Sequence, residues 1–451
     1  MKIHEAELDI PAICHSADPL AAARDNLAAA LGPKQLPIRF VICSSDPEVC
    51  HCEVGLVDEA TAENREQIGS IFDFRQRAAE NMSEFNVAFL VPTGIGSEIG
   101  GHAGDATPAA RILASLCDRL ILHPNVVNAS DVNEMPENAL YVEGSVLTRL
   151  FMGTAGLQPV RANRILTVMD NHPDTDLRDA TINTVNSARA TYGISGNQTV
   201  LLEPPIELSG NYTGFGRASG RVSRMDHLLD LLEERKGTYD AVAFATVTKV
   251  PLDLESDYFA SHGEIINPWG GAEAIFTHAI SSLFNIPTAH APISANEEAA
   301  DLEVGIVDPR MAAEGISLTF FQCVLKGLRQ SPRIVQPSAA GWPAGTLTAE
   351  DVSCLVIPDK CVGLPTLAAL KQGIPVIAVR ENGNILDNDL TQLPWAPGQF
   401  YQVENYWEAA GVLAALKAGL DPYSARRPFA GTQWEVYKSR SGATATASSA
   451  K

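Results

Sequence analysis

No apolar run in this chain approaches the eighteen or so residues that a membrane-spanning helix requires. The opening stretch MKIHEAELDIPAICHSADPL has neither the basic start nor the apolar middle of a secretory signal. Membrane insertion is therefore not expected, and the cytoplasm, or an organelle stroma for a processed form, is the expected compartment. Basic residues are scarce: 33 Lys and Arg stand against 54 Asp and Glu, for a formal net charge of −21. Such a surface repels phosphate backbones and anionic lipid alike, which argues against nucleic acid as a partner. Cysteines number only eight in 451 residues. Five of them (Cys43, Cys52, Cys117, Cys323 and Cys354) lie in apolar runs, where a free thiol behaves as a small hydrophobe, so a disulfide framework is not expected. Serine-hydrolase and HExxH signatures are absent.

What is present is the composition of a packed protein, 45% hydrophobic and 19% charged, in a chain too long for one ordinary domain. Near the start, DPLAAARDNLAAAL reads as a helix behind an acidic cap. IRFVICSSDPEVCHCEVGLVDE reads as an antiparallel hairpin turning at Ser45 to Pro47. Beyond it, apolar strands alternate with polar or glycine-bearing loops and helices, as in NVAFLV, YDAVAFATV and VSCLVIPDK with their following segments. Near-continuous apolar strands between helices imply parallel sheets covered on both faces. The expected fold is α/β: two Rossmann-like parallel-sheet lobes with a small N-terminal α+β hairpin element. The expected boundaries are a helix and hairpin over 1–80, a first lobe over 81–215, a second over 216–437 and a flexible tail over 438–451. The break between lobes is drawn in the glycine-rich, polar stretch Glu207 to Arg224, which reads equally as a mobile loop inside one domain.

In parallel sheets ligands bind beyond the carboxyl ends of the strands, so the loops there are the ones to inspect. VPTGIGSEIGGHAGDATP runs from a strand end to a helix expected to begin at Thr107, with Pro108 in its first turn. Unpaired backbone N–H groups at that helix start and the freedom of glycine suggest an anion or metabolite cradle. The stretch departs from the dinucleotide and nucleotide-triphosphate patterns, and Glu98 and Asp105 would repel phosphate without an intervening metal or base. A ligand held through polar side chains and a purely structural turn both stay open. Thr93, Gly94, Gly96, Gly100, Gly101 and His102 are its candidate binding residues.

Five further stretches carry candidates. LILHPNVVNASDVNEMPENALYVEGS concentrates hydrogen-bonding side chains: His123 is an acid–base candidate, and Asn125 and Asn128 are binding candidates. ATVTKVP brings Thr248 and Lys249 to a strand end, where desolvation would tune the lysine for catalysis or it would pair a substrate carboxylate. Asn267 precedes the helix of HGEIINPWGGAEAIFTH, and Arg310 in VDPRMAAEGISL is a candidate carboxylate clamp. In VIPDKCVGLPTLAALKQGIPVIAVREN, Asp359, Lys360, Glu381 and Asn382 follow strands. Cys361, beside lysine and near a helix start, is expected to have a lowered pKa suited to thiol chemistry. Each also has a plain structural reading as a turn, a cap or a buried side chain. Cys43, Cys50, His51 and Cys52 do not read as a metal site, because neighbours along a strand point to opposite faces.

The segment from VPTGIGSEIGGHAGDATPAARI through ALYVEGS resembles a domain-of-unknown-function family of photosynthetic organisms, and INPWGGAEAI, VDPRMAAEGISLTFF and VIPDKCVGLPTLAALKQGIPVIAVREN extend the likeness over most of the chain. That resemblance implies no activity. KCVGLPTLAALKQGIPVIAV is also locally similar to the aspartate/glutamate racemase superfamily, in which two α/β halves each contribute a cysteine to a metal-free proton-transfer site. On that likeness Cys361 matches the second cysteine, while Pro92-Thr93-Gly94 stands where the first would be. The resulting expectation is an isomerase, racemase-like enzyme or lyase acting on a small, polar, carboxylate-bearing metabolite in an inter-lobe cleft. The alternative is a metabolite-sensing or assembly protein using the same cleft without catalysis. No cofactor and no metal are expected; the partner is a small molecule, and a homo-oligomer is compatible with either reading.

Overall fold

The computed structural model of the protein describes residues 1–437 apart from 197, 295–304, 318 and 430. The tail expected to be flexible, 438–451, lies outside the described residues. The fold is mixed α/β. Among the described residues two large sheets form, one of six strands and one of ten, with a separate two-stranded ribbon.

All strand pairs in the six-stranded sheet are parallel. Across the sheet the strands run Phe400–Val403, Val376–Val379, Cys354–Pro358, Asn86–Phe89, Arg119–Leu122 and Ala139–Tyr141. The order steps outward in both directions from the central pair Asn86–Phe89 and Cys354–Pro358. Loops after these two strands therefore diverge and leave a crevice between them. Strands buried on both faces explain the unbroken apolar runs of the sequence: Val87, Ala88, Phe89, Leu120, Ile121, Leu122, Leu355 and Val356 are all fully buried. The helix Thr107–Ala114 begins where the sequence places it, with Pro108 in its first turn. This sheet takes strands from both sides of the boundary drawn at residue 216.

The ten-stranded sheet differs from the parallel lobe expected. Its outer part is antiparallel: Leu36–Ser45 with Val49–Asp58, the latter with Lys2–Pro11, and that strand with Ala218–Ser223. The short turn between Ser45 and Val49 permits only that orientation for the first pair, whereas parallel pairing needs a crossover. The inner part is parallel, with Ala241–Lys249 paired to Ile165–Asp170 on one side and to Thr288–Ser294 on the other. The N-terminal hairpin is thus an extension of this sheet and not a separate element.

The stretch Glu207 to Arg224 is a second departure, since it forms the antiparallel strands Glu207–Tyr212 and Ala218–Ser223. Two of its glycines serve close packing: Gly210 and Gly220 face each other across the ladder. A Cβ on Gly210 would come within 2.3 Å of the Pro268 carbonyl oxygen, and one on Gly220 within 2.3 Å of the Ala272 Cα. The start of the helix Gly270–Phe284 presses onto the sheet there. That helix is apolar nearly all round and buries twelve of its fifteen residues, because it lies between the ten-stranded sheet and the helix Gly144–Phe151 of the other unit.

Beneath this junction Arg217 pairs with Glu5 and Glu53, side chains that are almost completely buried, and the partly buried Arg39 also pairs with Glu5. Arg39 also donates to the Thr93 carbonyl at 3.3 Å, tying the hairpin to the start of the glycine loop. His51 projects to the exposed face and contacts Asp9 at 2.6 Å, while Cys50 and Cys52 are buried. Among the described residues no helix is long and apolar enough to cross a membrane.

Candidate functional site

A cavity of about 210 Å³ opens between the carboxyl ends of the strands Asn86–Phe89, Arg119–Leu122 and Ala139–Tyr141 and the buried helix Gly270–Phe284. Three groups of side chains define its chemistry.

The first comes directly off strand ends. His123 follows its strand at once and starts the short helix Pro124–Val127, its Nδ1 accepting the Asn125 N–H at 3.4 Å. A lone pair used at Nδ1 leaves the proton on Nε2. Burial pushes His123 down to about 4, so the ring is neutral at physiological pH. Glu143 caps the helix Gly144–Phe151, accepting from the Ser145 N–H at 2.9 Å and from the Ser145 hydroxyl. His278 Nδ1 faces its other oxygen at 2.7 Å. Burial alone would raise the Glu143 carboxyl, but His278 outweighs it and, with Ser145 and His123, holds it at about 2. Between the two rings sits Gly144, where a Cβ would lie 2.8 Å from His278 Cε1 and 3.0 Å from His123 Nε2. Only glycine lets both imidazoles approach that backbone.

The second group lies on segments distant in sequence. Glu314, 5% exposed, accepts from the Ala103 N–H at 2.7 Å and from the Tyr258 hydroxyl at 3.0 Å, and Tyr258 in turn contacts His102 Nδ1 at 3.0 Å. Burial pushes the Glu314 carboxyl up to about 7, against the lowering from those two donors. Burial also lowers His102 and raises Asp105, which accepts from the Gly100 N–H beneath the loop, to about 7.

The third group is Glu273, His290 and an aromatic wall of Trp269, Phe259 and Phe320. Glu273 sits in the first turn of its helix, where the helix dipole favours a carboxylate. His290 is fully buried, with Nε2 2.8 Å from the Thr246 hydroxyl and Nδ1 3.6 Å from Glu273.

Of the residues singled out from the sequence, Thr93, Gly94, Gly101, His102, His123, Asn125, Asn128 and Asn267 line the cavity. Asn125 also donates to the Gly100 carbonyl at 2.6 Å, so it shapes the loop as well as the wall. The others stand elsewhere. Gly96 and Gly100 make left-handed turns of the loop, at φ of 64° and 88°. Asn382 pins that loop, exchanging hydrogen bonds with the Ile99 N–H and carbonyl, each at 2.8 Å, and donating to Tyr406 at 2.7 Å. Arg310 pairs with Asp308 and Glu98. Lys249 is exposed at its strand end beside the buried Thr248, away from the cavity. Asp359 accepts from Gln402, Lys360 lies 3.8 Å from Asp387, and the Glu381 N–H donates to the Glu404 carbonyl.

Cys361 corrects an expectation. It is 4% exposed within the core, and burial pushes its thiol up, opposite to the lowering expected from the helix start and Lys360. It lines a smaller neighbouring cavity that shares His123 and Thr93 with the first. Cys323, the one cysteine on the main cavity among the described residues, is likewise buried with its thiol raised.

Sequence alone does not single out Glu143, His278, His290 or Tyr258, and it assigns no role to Glu273 or Glu314. Their signal is faint: each is a polar residue within an apolar or helical run, and such residues normally face solvent unless buried with partners. Among the described residues no group of His, Cys, Asp and Glu is arranged to hold a metal ion.

The family described as "Protein of unknown function (DUF3326)" matches residues 86–426, and the chain belongs to it. A protein of Synechococcus sp. named "Uncharacterized lipoprotein" is 38% identical over 339 residues, covering 74% of this chain and 91% of that protein. No solved structure matches. The family match contains the whole six-stranded parallel sheet and all the cavity residues described above, and it begins after the N-terminal hairpin.

Proposed function

Starting from membership of that family, we propose that the protein is an enzyme that moves a proton on a small polar molecule in this cavity, by isomerisation or elimination next to a carbonyl group. The observation that carries the reading is a pair of titratable groups driven in opposite directions within one cavity. Glu314 is raised to about 7 and His123 is lowered to about 4. Glu314 at that value takes and returns a proton near neutral pH, the condition that favours general acid–base work. His123, neutral with its proton on Nε2, donates to a carbonyl oxygen without itself ionising. When Glu314 removes the proton from the carbon beside that carbonyl, the electron pair moves onto the oxygen and His123 stabilises it. Glu143 and His278 back this wall, and Tyr258 and His102 orient Glu314.

In this reading the six-stranded unit is a Rossmann-like lobe whose strand ends supply His123 and Glu143. The cytoplasm or an organelle stroma remains the proposed compartment; the name of the Synechococcus relative favours a membrane-anchored alternative, which cell fractionation decides. The chemistry is tested by incubating the protein with a metabolite extract in D2O and following mass changes. Deuterium gain or conversion of a metabolite by the wild type, lost in Glu314→Gln and reduced in His123→Asn, is expected. Retention of a metabolite with neither exchange nor conversion would establish a binding protein instead.

A further inference from the structure

We infer that the cavity is built for a substrate carrying a protonated amine, which docks against Glu273 and His290. This rests on the reading of the cavity as a substrate site and specifies its substrate class. Among the described residues the cavity walls carry Glu143, Asp174, Glu255, Glu273 and Glu314 but no lysine or arginine. The arginine and lysine that would serve a carboxylate-bearing substrate, Arg310 and Lys249, are engaged or exposed elsewhere.

A cluster of acids would not by itself define a ligand; His290 supplies the independent observation. Its ring is fully buried and its Nδ1 has no hydrogen-bond partner, although the Glu273 carboxylate lies 3.6 Å away. No donor among the described residues hydrogen-bonds the Glu273 carboxylate, which is 26% exposed to the cavity. In the tautomer that carries its proton on Nε2, the Thr246 hydroxyl accepts it and Nδ1 presents a lone pair, so that two acceptors face the same space. Buried polar atoms left unpaired are costly, and an ammonium group, with three donors and a positive charge, satisfies both. An anion at the same helix start is opposed by Glu273, which already occupies the first turn. Trp269, Phe259 and Phe320 supply the apolar and π-rich wall that suits the carbon skeleton beside a cation.

The test uses three size-matched probes on the full chain, followed by ligand-observed NMR at millimolar concentration: benzylamine, benzyl alcohol and benzoate. The volume of about 210 Å³ accommodates them, since apolar cavities of roughly 150 Å³ hold benzene. Benzylamine is expected to bind at least about tenfold more tightly than the alcohol, with benzoate weakest, and Glu273→Gln should reduce the amine's advantage about tenfold. The ranking on the unaltered protein needs no variant to fold. Benzoate equal to or tighter than benzylamine, no binding of benzylamine, or a preference untouched in a folded Glu273→Gln protein would each overturn the inference. None of these outcomes bears on the proton-transfer chemistry, which the Glu314→Gln exchange experiment tests separately.

Discussion

Replacing Glu314 by glutamine should remove turnover and at the same time make the protein more stable in mild alkali. The carboxyl sits at 5% exposure and burial lifts it from 4.5 to about 7. Each tenfold change in proton affinity corresponds to about 1.4 kcal/mol, so ionising Glu314 costs the folded chain ~3 kcal/mol more than it costs the unfolded chain. Because the folded value is raised, the stability is fully present below pH ~4.5 and is lost as pH climbs through ~7. Glutamine keeps an acceptor for the Ala103 N–H and the Tyr258 hydroxyl but cannot ionise. The variant should therefore match the wild type near pH 4.5 and exceed it by up to ~3 kcal/mol at pH 8. For a chain of 451 residues, an unfolding entropy of about 2.1 cal/mol/K per residue turns that into a rise in Tm of ~3 °C. Differential scanning calorimetry at both pH values reads it directly. Equal displacement of Tm at pH 4.5 and pH 8 would refute the argument, since only a titrating carboxyl makes the difference depend on pH.

His123 should act with the opposite sign. Its folded value of about 4 lies below the ordinary 6.5, so the unfolded chain binds protons more readily and wild-type stability falls as pH drops through that window. His123→Asn should flatten the pH dependence of the denaturation midpoint between pH 6.5 and 4 by about one proton, and identical slopes would count against it. Arg217→Met leaves Glu53 buried without its guanidinium and Glu5 with Arg39 alone, and urea titration should show a loss of ~3–5 kcal/mol. Iodoacetamide should modify Cys14 first, the only cysteine of the eight that is not buried, with Cys361 reacting only on unfolding. Mass spectrometry locates the label, and rapid native labelling of Cys361 would show the thiol to be accessible. Asn382→Ala should free the Ile99 amide, visible as faster hydrogen exchange in the glycine loop with a cost of ~1–3 kcal/mol.

Local rules fixed much of the architecture before any long-range contact entered. Asp18 caps the helix Pro19–Ala30, Pro108 opens the helix after the glycine loop, and Gly193 ends Thr175–Tyr192 in the left-handed conformation, all positions that neighbours in sequence dictate. Continuous apolar strands foretold the parallel sheet, and the glycine loop and the His123 segment pointed to half of one wall. Partnership was not written locally. Which strands share a sheet depends on crossovers of more than two hundred residues, as between Asn86–Phe89 and Cys354–Pro358. Gly210 and Gly220 read by sequence as slack in the chain, and only the approach of Pro268 and Ala272 shows them making room for a helix. Cys361 looked like a tuned thiol by its neighbours, and burial, which sequence cannot weigh, reversed the sign. The cavity was decided the same way: His123 and Glu143 come from strand ends, Glu273, His278 and His290 from a buried helix and strand, and Glu314 from a distant turn. Residues hundreds of positions apart become one chemical environment only when packing excludes water from between them, and that exclusion sets both their charge states and their role.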